Sequence, residues 1–252
     1  MTTSINLMYH DVYSRDINES GFNRTRDLMY KLDAEKFENH VRCISDLCKQ
    51  KSLPLESVVF TFDDGGKSFH NVIAPILDKY GFKGVFFIST KYIGTETFLN
   101  EDEIVELHKS GHIIGSHAHS HEHFYTLSDS KIDEEWNTSI KILSKIIGSD
   151  VTYASVPNGD ATKYVVKSAY EHGIKYLYTS EPTVKIDKYN DMDIHGRYVL
   201  LNNSSSEYVL SIIDNKRIRF QLLLKRQGLK VVKTILGSNY LKLKIYLSHL
   251  SE

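Results

Sequence analysis

The stretch Val58-Val59-Phe60-Thr61-Phe62-Asp63-Asp64-Gly65-Gly66 decides how this chain is read. Five β-branched or aromatic residues in a row suit a strand buried on both faces, as in a parallel sheet. The run then breaks into two carboxylates and two glycines. Taken alone, that break reads equally as an ordinary turn, because Asp and Gly both favour turns. Its chemical reading is that adjacent carboxylates leaving a strand point in different directions, so one can bind a metal while the other stays free as a base.

Outward from this stretch, strands and helices alternate. A short strand runs from Ile5 to His10, and a helix from Asp33 to Lys51 places Phe37, Val41, Ile44 and Leu47 at spacings of three and four. After Asp63-Asp64 come a helix over Val72 to Tyr80, a strand over Gly84 to Ile88, a helix over Glu101 to Ser110 and a strand over Ile113 to Ser116. A helix over Ile132 to Ile147, a strand over Val151 to Val156, a helix over Tyr164 to His172 and a last strand over Lys175 to Thr179 complete the pattern. Such alternation implies parallel pairing and an α/β architecture. The polar residues gather at the C-terminal ends of the strands, where barrels and open sheets of this class build their sites. Residues 1–205 read as one catalytic domain and 206–252 as a basic, amphipathic helical extension.

Composition narrows the functional classes. The 252 residues are 41% apolar, enough for a sizeable core, and the formal net charge of −1 argues against a whole-protein nucleic-acid role. Only two cysteines occur, Cys43 and Cys48, too few for a disulfide framework or a thiolate zinc site. No stretch approaches the ~20 apolar residues of a membrane-spanning helix. The N-terminal residues lack the pattern of a signal peptide, so a cytoplasmic location is expected.

A second chemical segment is Ser116-His117-Ala118-His119-Ser120-His121-Glu122-His123. A run of alternating histidines is also what an adventitious metal-binding tract looks like. His117 and His121, four apart, would share one face of a helical turn and grip one metal. His119 would point elsewhere, and His123 would be a poorer partner. One carboxylate and two imidazoles form a facial set that leaves positions open for water and substrate, and the remaining carboxylate can take a proton from that water.

These segments resemble the polysaccharide deacetylase family, also called the NodB-homology or carbohydrate esterase family 4 domain. Its T-F-D-D-G motif is matched at Thr61 to Gly65. Its H-[ST]-x-x-H motif is matched at His117 and His121, with Ala118 in the hydroxyl position. Its R-x-P-x-G motif corresponds to Ser155-Val156-Pro157-Asn158-Gly159. The resemblance spans roughly residues 5 to 200 and implies a distorted (β/α) barrel of the polysaccharide deacetylase type. It makes Asp63 the general base and Asp64, His117 and His121 the ligands of a divalent metal, zinc by default, with Co2+, Ni2+ or Fe2+ also suited. Pro157, Asn158 and Gly159 form the oxyanion and substrate turn, with the Asn158 N–H helping to hold the oxyanion. The activity implied is hydrolytic N-deacetylation of an amino sugar in surface polysaccharide or glycolipid biosynthesis. The alternatives are an amidohydrolase acting on a non-sugar amide, or an inactive carbohydrate-binding module.

Two departures from the pattern shape further expectations. Ser155 stands where the family carries an arginine that orients the base. Arg197, after the last expected strand, is the candidate to supply a guanidinium from another direction, against the plainer reading of a solvated surface arginine. The late Leu-x-His motif, whose histidine is the general acid, has no clear copy. His249 lies too far along, and His195 follows Asp193-Ile194 rather than an apolar strand. Met8-Tyr9-His10 instead resembles the circularly permuted branch of the family, which includes poly-N-acetylglucosamine deacetylases. There an N-terminal M-Y-H supplies the acid, so His10 is expected in that role.

Two features bear on partners. Phe124-Tyr125 beside the histidines offers rings to stack on a sugar. From Lys216 to Ser251 there are nine Lys/Arg and no Asp or Glu, interleaved with apolar residues at roughly helical spacing. That segment reads either as a helix packed on the barrel or as a peripheral contact with the inner face of a membrane. The second reading suits an enzyme that handles lipid-linked sugars. The oligomeric state is not legible.

Overall fold

The structure, a computed structural model, describes residues 4–236, with side chains up to residue 229. Residues 237–252 of the basic segment, His249 among them, lie outside the described residues.

A sheet of nine strands dominates the described residues. Strand β1 (Ile5–Tyr9) is followed by a small parallel pair, β2 (Asp11–Tyr13) with β3 (Lys31–Asp33), and by α1 (Ala34–Gln50). Asp33 caps α1, its side chain accepting from the amides of Glu35 and Lys36. Then come β4 (Val58–Phe62), α2 (Ala74–Lys79), β5 (Gly84–Ile88), α3 (Glu101–Lys109) and β6 (Ile113–Ser116). The second half carries α4 (Asp129–Ile147), β7 (Tyr153–Ser155), α5 (Lys163–Glu171) and β8 (Tyr176–Tyr178). Three short strands follow, β9 (Asp187–Tyr189), β10 (Met192–His195) and β11 (Tyr198–Val199), and then α6 (Ser206–Asp214) and α7 (Lys216–Leu236).

Sequence reading misses β2, β3, β9, β10 and β11, and it begins the helix before β5 too late. A π-helical turn, Phe69–Ile73, already opens that helix before α2. The missed strands have two to four residues, too short for a buried run or a period of two to announce them.

The strand order is β11-β1-β4-β5-β6-β7-β8-β10-β9, parallel throughout except for the β9–β10 pair. In a flat sheet β11 and β10 would be seven strand spacings apart, roughly 34 Å. Only Gly196 and Arg197 separate them in the chain, a reach of at most ~11 Å. The sheet therefore curls until its ends meet, as a distorted (β/α) barrel with the C-terminal helices outside. The Asn6 side chain donates across this closure to the Gly196 carbonyl at 2.9 Å. A side chain at Gly196 would meet the Glu181 carbonyl oxygen at 2.3 Å, so only glycine fits the joint.

Curling divides the strand residues by parity. Val58, Phe60 and Phe62 join Leu7, Tyr9, Phe86 and Ile88 in an outer core beneath α1, α2 and α3. Ala154 and Leu177 join Trp136, Val165 and Ala169 in a second outer core beneath α4 and α5. Val59, Val85, Phe87, Ile113, Tyr153, Tyr176 and Tyr178 form a separate cluster made of strand residues alone, which is the barrel interior. His10, Asp63, His117 and Ser155 continue the interior parity at the C-terminal end of their strands. The site is thus the upper layer of the barrel's own filling.

Candidate active site

A cleft of about 440 Å³ opens at this end, and His10, Asp63, Asp64, His117, His121, Asn158, Gly159 and Arg197 all line it. Sequence reading therefore named residues that the fold brings together from five separate segments. Pro157, also named, is buried in the turn beneath them.

Asp63 and Asp64 diverge as the sequence suggests. The divergence comes from Asp64, whose φ of 90° places a non-glycine residue in the left-handed region. Among the described residues, six non-glycines have positive φ, and Asp64, Ala118, His121 and Asn158 are four of them. Backbone strain of this kind persists only where surrounding contacts impose it, and here it concentrates at the cleft.

The histidine segment is not a helical turn, which corrects the geometry expected for it. Its backbone leaves β6 irregularly, with φ of 60° at Ala118 and 61° at His121. The Glu135 carboxylate of α4 holds the bend, accepting from the amides of His119 at 2.8 Å and Ser120 at 2.7 Å. The bend still brings His117 and His121 together, ring centroids 5.1 Å apart. His119 turns away to Thr90, and His123 pairs with Asp160 at 3.0 Å, tying this loop to the turn at Asn158. The rings of Phe124-Tyr125 do not act together: Phe124 is buried against Trp136, and only Tyr125 is exposed.

Asp64, His117 and His121 present one donor atom each within 4.8 Å of one another. Asp64 Oδ1 lies 3.1 Å from His121 Nε2 and 3.5 Å from His117 Nε2, yet it is buried without a hydrogen bond among the described residues. The His117 tautomer follows from its other nitrogen. The Ser155 hydroxyl donates to Asp63 Oδ1 at 3.0 Å, so its own acceptor position must take the Nδ1 proton of His117 at 2.6 Å. Nε2 is then bare and aimed at Asp64. Burial presses the His117 pKa down to about 4, which keeps the ring neutral. Converging lone pairs, an orphaned carboxylate oxygen and a tautomer fixed from behind together fit a divalent metal.

Asp63 stands beside this set without joining it, Oδ2 being 4.0 Å from His117 Nε2. Arg197 grips it in a two-pronged contact, Nη1 to Oδ1 at 2.6 Å and Nη2 to Oδ2 at 2.8 Å. Arg197 is itself 1% exposed and gives two further donors to the Thr179 carbonyl and the Thr61 hydroxyl. It is therefore not a solvated surface arginine. Burial alone would raise the Asp63 pKa, but the charge and hydrogen bonds of Arg197 outweigh it and leave the carboxyl below its ordinary value. Asp64 likewise sits well below the usual range: burial alone would raise it, and the neighbouring imidazole of His121 outweighs that burial.

His10 follows β1 and packs tilted against Tyr30, ring centroids 4.4 Å apart, while Phe22 packs tilted against His121 at 5.1 Å. Both aromatics belong to the 14–30 loop. The amine of Lys31 anchors that loop to the carbonyl of Ile17 at 2.9 Å and also bonds Ser20 and Asn23. Sequence reading misses this wall, the Ser155 link and Arg226 of α7, which also lines the cleft. None of these has a motif, since each acquires its place only from the closed barrel. His195 points into the barrel and stacks on Tyr178 at 4.8 Å, apart from the cleft-lining residues.

The sequence profile of the polysaccharide deacetylase family matches residues 50–177. The chain is 26% identical over 190 residues to the putative polysaccharide deacetylase YxkH of Bacillus subtilis, covering 70% of this chain and 64% of that protein. It is 27% identical over 184 residues to a poly-β-1,6-N-acetyl-D-glucosamine N-deacetylase of Staphylococcus aureus, covering 66% and 61%. The chain thus spans less than two thirds of the length of these relatives. Among solved structures, the Streptococcus pyogenes deacetylase PplD in complex with acetate superposes with a TM-score of 0.69 at 20% identity, covering 84% of this chain and 98% of that one. IcaB from Ammonifex degensii superposes with a TM-score of 0.62 at 19% identity, covering 83% and 99%. At those identities the structures speak for the fold alone. The matched residues include Asp63, Asp64, His117, His121 and the Pro157–Gly159 turn, whereas His10 and Arg197 fall outside them and owe their place here to geometry. The chain belongs to the polysaccharide deacetylase family.

Proposed function

We propose that this protein hydrolyses the acetamide of an N-acetylated amino sugar within a saccharide or lipid-linked glycan, with a divalent metal at Asp64, His117 and His121. The observation that carries this reading is the division of labour between adjacent carboxylates: Asp64 faces two imidazoles, and Asp63 is held ionised beside them by Arg197. Zinc suits the donor set, and Co2+, Ni2+ or Fe2+ would also be accepted. When bound, such an ion supplies Lewis acidity toward water and the acetyl carbonyl.

The chain's own residues account for the proton movements. Asp63 takes a proton from the attacking water, and the Arg197 contact fixes which oxygens are engaged while the other lone pairs remain available. The amide of Asn158, a cleft-lining residue in the left-handed region at φ 56°, serves the developing oxyanion. His10 gives a proton to the departing nitrogen, because an amine leaves poorly unless protonated. The family profile and the Staphylococcus aureus relative support a saccharide substrate over a non-sugar amide.

The test is acetate release from N-acetylglucosamine oligomers and lipid-linked N-acetylated sugars by the metal-loaded protein. Asp63→Asn and His10→Ala should each lower kcat by about 10²–10⁴-fold. No acetate from any of these substrates, or a fully active Asp63→Asn variant, would sink the proposal.

A further inference from the structure

We infer that the outer face of α7 docks on an anionic lipid bilayer and seats the cleft beside it. The inner face of α7 packs on α6 and on the segment after β8. There Arg219 donates to the carbonyls of Ile212 and Ile213 at 2.6 and 2.8 Å, and Arg226 contacts Glu181 at 3.2 Å. The opposite face carries two large apolar side chains that remain in solvent, Phe220 at 60% exposure and Leu224 at 49%. Four residues apart, they form one stripe along the helix. Lys216, Arg217 and Lys225 around that stripe are exposed, and none of them is ion-paired among the described residues.

Charge selects the occupant. Residues 216–236 contain seven Lys/Arg and no carboxylate. Apolar side chains set among unpaired cations match a surface that is negative above and hydrocarbon beneath. A second copy of this chain would bring the same cations against themselves across a two-fold contact. The chain's own residues 237–252 add Lys242 and Lys244 against a single Glu252, so they too repel more than they complement. Among the described residues no helix is long and apolar enough to cross a membrane.

The helix also links that surface to the cleft. Phe220 borders a groove with Ile5, at the start of β1, whereas Arg226, six residues later, lines the cleft at the other end of the barrel. Docking would place the cleft at the interface, where a glycan held by a lipid presents itself. That last step rests on the proposed function, whereas the docking itself does not.

Co-sedimentation of the full chain with vesicles tests the docking. Vesicles of phosphatidylcholine mixed with phosphatidylglycerol should retain the protein, and vesicles of phosphatidylcholine alone should not. Phe220→Ser/Leu224→Ser and Arg217→Gln/Lys225→Gln should each weaken retention by about tenfold or more, the second also flattening its salt dependence. Asp63→Asn should bind like the native chain, so loss of catalysis and loss of docking are read separately. Unchanged melting temperatures would show that the variants fold. Retention by both vesicle types, by neither, or undiminished in both double variants would overturn the inference. So would a dimer in sedimentation equilibrium that Phe220→Ser/Leu224→Ser converts to monomer.

Discussion

At the scale of single residues, the site turns on how a buried carboxylate is kept ionised. Asp63 is 3% exposed, and an isolated charge there would protonate rather than persist. Arg197 resolves this with a planar fork that matches both carboxylate oxygens, a geometry an ammonium cannot copy. Arg197→Ala should cost about 3–5 kcal/mol of stability, since it leaves Asp63 buried without its countercharge. Arg197→Lys should fold, lose activity, and move the acid limb of the kcat/KM profile to higher pH, because the influence holding Asp63 below its ordinary pKa is weakened. A profile that fell without shifting would restrict Arg197 to packing. The pairing explains what the sequence showed and what it withheld. Asp63, Asp64, His117 and His121 were legible because each stands in a short motif. The missing arginine of the third motif was legible as Ser155, and its replacement, Arg197, only from its place after the last expected strand. That serine does different work, relaying between His117 and Asp63 while the guanidinium arrives from beyond β10.

At the scale of elements, the legible parts are those whose own residues carry the signal. Strands β4, β5 and β6 lie in the middle of the order and are covered on both faces, so their apolar runs announce them. Strands β10 and β11 flank the closure and have only four and two residues, too few for a periodic or apolar run to announce them. The attachment of α6 was equally hidden, because it depends on His40 inside α1. The Ser204 carbonyl can only accept, so His40 Nε2 donates to it at 3.1 Å, and Nδ1 is left to accept from the Tyr9 hydroxyl at 3.3 Å. Burial pushes the His40 pKa down to about 4, against an ordinary value near 6.5 when unfolded. A lowered folded pKa means the unfolded chain binds the proton first. The contribution is complete above about pH 6.5 and is lost as pH falls toward 4, amounting to about 3 kcal/mol. Urea unfolding at pH 7.5 and 4.5 should therefore show the native chain losing about 2–3 kcal/mol more than His40→Gln, whose amide can donate and accept in the same place. Equal losses would mean that His40 protonates freely in the folded state.

At the scale of the whole molecule, the barrel is closed by residues distant in sequence, and the site samples that closure. Asp64 comes from the turn after β4, His117 and His121 from the bend after β6, and Arg197 from the two-residue joint between β10 and β11. Strand β1 sits between β11 and β4, bridging the two halves of the chain and carrying His10 into the cleft. This arrangement places an N-terminal histidine where a late motif was sought, because a barrel position is defined by its neighbours and not by its order in the chain. A metal at Asp64, His117 and His121 would bind only the closed form, since the unfolded chain separates Asp64 from His121 by more than fifty residues. Ligand binding of that kind stabilises the fold by mass action, about 2.7 kcal/mol when the free metal is a hundred times its Kd. For a chain of this length that corresponds to a rise of roughly 5–10 °C in Tm. Zinc added to chelator-treated protein should produce this rise by calorimetry, and Asp64→Asn should erase it while Asp63→Asn retains most of it. That contrast separates the carboxylate that holds the metal from the one that moves the proton, without relying on turnover. An identical rise in both variants would place the metal elsewhere and undo the assignment of Asp64.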